Sequence, residues 1–420
     1  MNIKKDILKI GVPIVLMNVF NTVIMNTDSF ITGKFLGLNK MTSISLSVVV
    51  VYRMMLLFKV MKESSVILLN KEELDKNETR FNLFLIAIVL SLLNGFICLF
   101  FKTNLTSTIN VPEILYSDYS IYYDYYVIAS CLCLLSEFLA TMLIAEGDSK
   151  TPARIMIISQ LVNIGLDIVI VQFSENVKYL ALTTILGYVI ATTWLLIKIK
   201  IKLCMVKLSY FRDFFKIGIP MLLSEICYTY AILVTTKTMN SFSLEEIKAT
   251  TISNELKYLA NAVTSIAYTP MLVLLSSKKY RVKECLTSGL KFIVTITLVS
   301  NVIVVGMMFL YAMVITKDKN VLDNLLVASI PIIGYVFIAI KNNLIAVYTH
   351  LNLQKYVSAF TFLSIFLFRV AYLKLLADNY LMFNLANPLS WICLDLLLIV
   401  SLGIIKRKEI IKNRTMFSRN

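Results

Sequence analysis

Twelve long apolar runs dominate the chain, at roughly residues 8–32, 42–61, 82–101, 120–145, 153–173, 179–200, 214–239, 250–275, 288–315, 323–348, 356–377 and 384–405. Each is about 20 residues or longer, the length a helix needs to cross the hydrocarbon core of a bilayer. The polar residues that interrupt these runs are ordered. In 153–173, Gln160, Asn163 and Asp167 recur at i, i+3 and i+7, which is one face of one helix. A carboxylate and two amides on a single stripe inside lipid must face a cavity, a partner or an ion. In the first run Asn18, Asn21, Met25 and Asp28 share a face in the same way. In 250–275 the stripe is Asn254, Tyr258, Asn261, Ser265 and Tyr268, suited to lining a cleft or to hydrogen bonding between helices.

Composition makes the membrane reading firm. Of the 420 residues 58% are hydrophobic and only 16% charged, against about 25% charged in a soluble domain; mean hydropathy is +0.77. A formal charge of +15 would suggest nucleic acid in a soluble protein. Here the basic residues gather in alternate loops, the positive-inside pattern, and no nucleic-acid partner is expected. With the N-terminus inside, the dense basic segments 198–216, 278–283 and 406–419 all fall on the cytoplasmic side. Both termini are thus expected in the cytoplasm and the protein in the plasma membrane. The basic start Met1 to Lys9 leads into a run without a small-residue cleavage site, read as a retained first span. Tyr116, Tyr119, Tyr122, Tyr123, Tyr125 and Tyr126 fall at an outer boundary and are expected to form an interfacial aromatic belt. The seven cysteines lie mostly within apolar runs and His350 is the one histidine, so no structural metal, disulfide framework or cofactor is expected.

The chain also repeats. Lys5-Asp6-Ile7-Leu8-Lys9-Ile10-Gly11-Val12-Pro13 is similar to Arg212-Asp213-Phe214-Phe215-Lys216-Ile217-Gly218-Ile219-Pro220. Both segments open odd-numbered runs, so the repeat is parallel, about an axis along the membrane normal. The predicted fold is all-α and membrane-integral: twelve transmembrane helices in two six-helix lobes, 1–205 and 206–420. A cleft between such lobes suits rocking between two accessible states.

The motifs and their order resemble the multidrug and toxic compound extrusion (MATE) transporters of the multidrug/oligosaccharidyl-lipid/polysaccharide exporter (MOP) superfamily. The resemblance rests on Gly11-x-Pro13 with Asp28 and Gly33, on Gly147-Asp148-x-Lys150-Thr151-Pro152, on Asn163-x-x-x-Asp167 and on Gly218-x-Pro220. It implies export of organic small molecules by antiport against sodium ions or protons. It also implies a cation site in the first lobe at Asp28, Asn163 and Asp167, to which Thr183 or Thr184 could add a hydroxyl. A monomer in the lipid bilayer with a small-molecule substrate is expected. The second lobe lacks the acid pair: Thr235 stands opposite Asp28, and Leu367 and Ala371 stand where helix 5 has Asn163 and Asp167.

Cations within the runs complicate the picture. Lys59 and Lys237 lie near run ends and are expected to snorkel. Arg53, Lys257, Lys341 and Arg369 lie deeper and need a partner or water. Arg369 with Asp395, and Lys341 with Glu225, are candidate pairs. Alternatively these cations make a cavity for an anionic or zwitterionic substrate, with Arg53, Lys341 and Glu225 among the cleft residues. A lipid-linked oligosaccharide flippase of the same superfamily is the competing reading. An enzyme is not expected, since no loop could hold a catalytic domain and no phosphate-binding glycine loop occurs.

Overall fold

The computed structural model describes residues 3–69, 74–146, 148, 150–276, 280–351 and 353–417; side chains at 13, 14, 17, 18, 20–26, 28, 220, 221, 223, 224, 276, 354 and 405–417 are outside the description. Asn18, Asn21, Met25 and Asp28 are therefore outside the described side chains, as are Pro13 and Pro220. Among the described residues the regular structure is helical throughout, with no strand.

Helix α1 (Ile3–Phe35) turns into α2 (Leu38–Lys59) at Gly37, whose φ of 92° suits glycine alone without strain. A 3-10 turn, Val60–Lys62, carries α2 into α3 (Glu63–Leu69). Then follow α4 (Lys76–Phe100), the short α5 (Lys102–Ile109), α6 (Glu113–Ala145), α7 (Lys150–Ile170), α8 (Val177–Ile199) and α9 (Leu208–Met239). Helix α10 (Leu244–Thr264) continues through a 3-10 turn to α11 (Thr269–Ser276). A single turn, α12 (Val282–Glu284), and a π-helical turn lead into α13 (Leu290–Ile315). The chain closes with α14 (Lys319–Ala328), α15 (Ile330–His350), α16 (Gln354–Thr361), a π-helical stretch Phe362–Phe368, α17 (Arg369–Leu375) and α18 (Tyr380–Phe417). Asp75, Asn176 and Asp318 cap α4, α8 and α14 by accepting backbone N–H groups at 2.9, 3.0 and 3.0 Å. Ten helical stretches among the described residues are long and apolar enough to cross a membrane. They coincide with ten of the predicted runs; α1 and α9, over the other two, contain residues whose side chains are not described.

The chain forms two compact units: unit 1 is Met1–Val23 with Ala249–Asn420, and unit 2 is Ile24–Lys248. These cut the chain elsewhere than the halves 1–205 and 206–420. The cause is packing. Within unit 2, Phe214 of α9 is buried among Met55, Phe58, Leu134 and Phe138. A Cβ on Gly218 would lie 2.7 Å from Met61 Cε, so α9 rests directly on the α2–α3 turn. Within unit 1, Ile3 and Ile7 from the start of α1 are buried among Ile266, Met271, Cys285 and Val347, and the Tyr280 hydroxyl donates to Asp6 Oδ2 at 2.7 Å.

In unit 2, α2 and α6 run in the same direction in close contact. Ser43 and Ser47 donate to the carbonyls of Leu115 and Tyr119, at 3.1 and 2.9 Å. Small hydroxyl residues allow this approach. The expected aromatic belt is only partly formed: Tyr119 and Tyr123 are fully buried, bonded to Thr106 of α5 and to the Cys98 carbonyl of α4 at 3.2 and 2.8 Å, whereas Tyr116 is exposed. In unit 1, α15 and α18 also run in parallel. A Cβ on Gly334 would sit 2.7 Å from Pro388 Cγ, so only glycine lets these helices meet there. About four turns further along, Tyr348 bonds the Leu398 carbonyl at 2.7 Å and the Ser401 hydroxyl.

Candidate functional site

Helix α7 carries the central polar stripe. Asp148 caps it: Oδ1 accepts the Thr151 N–H at 3.0 Å, and its bonds to Thr151 hold this carboxyl below the usual carboxylate range. The helix is amphipathic in the inverted sense. Its buried positions are Pro152, Ile155, Ser159, Asn163 and Asp167, spaced 3, 4, 4 and 4 along one face. Its uncovered positions include Ile158, Leu161, Val162, Ile168 and Val169. Lipid would solvate the apolar face, while the protein encloses the polar one. Asn163 and Asp167 are 2% and 1% exposed.

The facing surface belongs to α8. Gly187 brings the backbones together: a Cβ there would stand 3.3 Å from both Asn163 Cβ and the Ser159 carbonyl oxygen. One turn earlier, the Thr183 hydroxyl is bonded to Asp167 Oδ1 and also lies 2.6 Å from the Leu180 carbonyl oxygen. Thr184, the candidate ligand, is rotated about 100° around the helix axis and returns its hydroxyl to Leu180 at 3.0 Å. Thr183 takes its place beside the carboxylate. The structure thus joins Asp167 and Thr183 directly and sets Asn163 one turn away on the same buried face. Asp28 lies in the sequence span of the same unit, outside the described side chains. Among the described residues no group of three or more His, Cys, Asp or Glu side chains could hold a metal ion.

The deep cations find partners other than those predicted. Arg53 Nη1 lies 4.0 Å from Glu225 Oε1 and its guanidinium 5.3 Å from the Tyr228 ring, so Glu225 faces Arg53 within unit 2. Arg369, 2% exposed, directs Nε and Nη2 to the Ser390 hydroxyl at 3.0 and 2.8 Å, and not to Asp395. Lys257 donates to Asn254 Oδ1 at 2.6 Å, on the α10 stripe where Tyr258 and Asn261 are exposed and Tyr268 is partly covered. Lys59 does not snorkel. It donates to Glu137 Oε1 at 2.6 Å, while Lys62 donates to Oε2 at 2.7 Å. Sequence reading missed Glu137, although an acid deep inside the run 120–145 was a visible signal.

No family model and no curated protein sequence matches the chain. Solved structures do. A multidrug resistance MATE family transporter of the MOP superfamily in an inward-facing conformation superposes with a TM-score of 0.71 at 15% identity, covering 92% of this chain and 96% of that one. The lipid II flippase MurJ in an inward closed conformation gives 0.74 at 14% identity, with 93% and 87% covered. The Vibrio cholerae MATE transporter VcmN in its bent form gives 0.60 at 16%, with 97% and 98% covered. The chain therefore has the fold of these solved structures, which MATE transporters and a flippase share, and its described residues include ten helical stretches long and apolar enough to cross a membrane.

Proposed function

We propose that the protein is a cation-coupled antiporter that exports organic small molecules by alternating access, driven by sodium ions or protons. The observation that carries this reading is the buried stripe Ser159, Asn163 and Asp167 on an otherwise lipid-facing helix, with Thr183 bonded to the carboxylate. An intramembrane carboxylate sealed from lipid by its own helix is costly and marks an ion pathway. Asp28 joins this set through the family resemblance. In this reading α1 and α9 complete twelve spans, the two sequence halves form the repeat, both termini are cytoplasmic, and a monomer works in the plasma membrane. Substrate-contacting residues are drawn from Asn18, Asn21 and Met25 on α1, from Arg53 and Glu225, from the α10 stripe, and from Lys341.

Donor counting supports a proton at Asp167. A threonine hydroxyl has one hydrogen, yet both neighbours of Thr183, the Asp167 carboxylate and the Leu180 carbonyl, are acceptors. Protonating Asp167 completes the chain: the acid donates to Thr183, and Thr183 donates to Leu180. Sodium suits the same oxygens when Asp167 is ionised, with Asn163 adding a neutral carbonyl oxygen.

The second reading, flipping of a lipid-linked oligosaccharide, is favoured by the deep cations Arg53, Lys257, Lys341 and Arg369, which suit a pyrophosphate-bearing substrate. Everted vesicles under separate sodium and proton gradients, with a panel of organic cations and anions, separate the two. Asp167→Asn should abolish gradient-driven export while leaving substrate binding. Undiminished export by this variant would sink the antiporter mechanism and favour the flippase.

A further inference from the structure

Helix α18 holds a carboxylate that the candidate site does not use. Asp395 is 4% exposed, and among the described residues neither of its oxygens has a hydrogen-bond partner. Its position follows from the parallel register of α15 and α18. Gly334 meets Pro388 at the start of the contact, and Tyr348 meets Leu398 and Ser401 at its end. Lys341 lies seven residues after Gly334, and Asp395 seven after Pro388, so each advances two turns along the same face. The pair therefore occupies the layer between those two contacts, and the two groups act on each other electrostatically.

The other neighbours do not neutralise Asp395. Arg369 of α17 is turned to Ser390, whose own hydroxyl donates to the Asn387 carbonyl at 2.7 Å. The π-helical stretch Phe362–Phe368 packed on α18 carries no titratable residue. The charged residues of α14 are Lys319 and Asp323 and that of α16 is Lys355, while the cation that acts on Asp395 is Lys341. On α18 itself the nearest titratable group is Cys393. An ionised carboxylate without a hydrogen bond is unfavourable at this depth, and a lysine that touches it only at a distance leaves that cost largely in place.

We propose that Asp395 is a proton-carrying carboxyl inside unit 1, taking up one proton and releasing it to water beside the Lys341 side chain. In the step the O–H bond of the acid breaks, the electron pair stays on the carboxylate, and the layer around Lys341 and Arg369 loses one positive charge. The release is a charge change within the membrane, additional to any at Asp167. Its existence does not rest on the antiporter reading, only its use does.

The test reads the proton and not transport. Infrared difference spectra of the purified full chain in lipid nanodiscs are taken while pH is stepped. The wild type should show a carboxylic C=O band that is lost on raising pH and is missing from Asp395→Asn. Asp395→Glu should restore a band at a shifted frequency, which also serves if Asp395→Asn does not fold. Lys341→Met should move the pH at which the band is lost. Identical spectra for wild type and Asp395→Asn would overturn the proposal, as the carboxylate would then be a permanent counter-ion. Unchanged pH dependence in Lys341→Met would overturn the pairing. Loss of export in Asp167→Asn with the Asp395 band intact would show the two sites to be separate.

Discussion

Removing Glu137 should be among the most damaging single changes in unit 2. The 3-10 turn after α2 brings Lys59 and Lys62, three residues apart, onto one carboxylate at 2.6 and 2.7 Å. With Glu137 present the cluster carries one net positive charge; in Glu137→Ala it carries two. Two charge-assisted hydrogen bonds disappear, each contributing about 1.5–3 kcal/mol. Orphaning a buried charge typically costs about 3–5 kcal/mol. All three side chains retain 21–22% of their exposure, enough for the lysine stems to turn toward water and relieve part of the repulsion. The expected loss is therefore about 3 kcal/mol, at the lower end of that range. Equilibrium unfolding of the purified protein in mixed micelles, driven by sodium dodecyl sulfate, measures it. A double-mutant cycle of Glu137→Ala with Lys59→Met should return a coupling of about 1.5–3 kcal/mol. A loss below about 1 kcal/mol, or a coupling within about 0.5 kcal/mol of zero, would refute the claim that this triad holds α2 to α6.

Two further outcomes follow from the geometry. Gly334→Ala should destabilise unit 1 by about 1–3 kcal/mol through overpacking against Pro388, whereas Gly306→Ala, with open space around its position, should be close to neutral in the same unfolding assay. Asp148 has a depressed value in the folded chain, so its cap on α7 stabilises above the ordinary aspartate value, near ~3.9, and fades as pH falls through the depressed one. Hydrogen exchange of the Thr151 amide should accelerate in Asp148→Ala relative to wild type at neutral pH, and the difference should close in strong acid; a difference that is constant with pH would contradict the cap.

The spans were legible because hydropathy over some twenty residues is a strong signal, and the α7 stripe because helical spacing alone puts Asn163 and Asp167 together. What failed was information that one helix cannot carry. Thr183 and Thr184 are adjacent in sequence, and only the position of α7 decides which meets Asp167. Lys59 read as a snorkelling residue because its acceptor lies 78 positions away. Arg369 had a nearer partner in Ser390 than the acid it was matched with, since charge complementarity says nothing about distance. Two of the tyrosines at the outer boundary turned inward because they find partners on neighbouring helices, Tyr119 at the Thr106 hydroxyl of α5 and Tyr123 at the Cys98 carbonyl of α4.

The contact between α15 and α18 behaves as a ratchet with its teeth engaged. Sliding one helix past the other by a turn would drive Pro388 into a position where every residue but Gly334 carries a Cβ, and would strip the Tyr348 hydroxyl of both hydrogen-bond partners in the same movement. These helices therefore travel together as one stiff strut. Any rearrangement of unit 1 must be taken up at other joints, such as the π-helical stretch before α17, where the regular ladder of α-helical bonds is already interrupted.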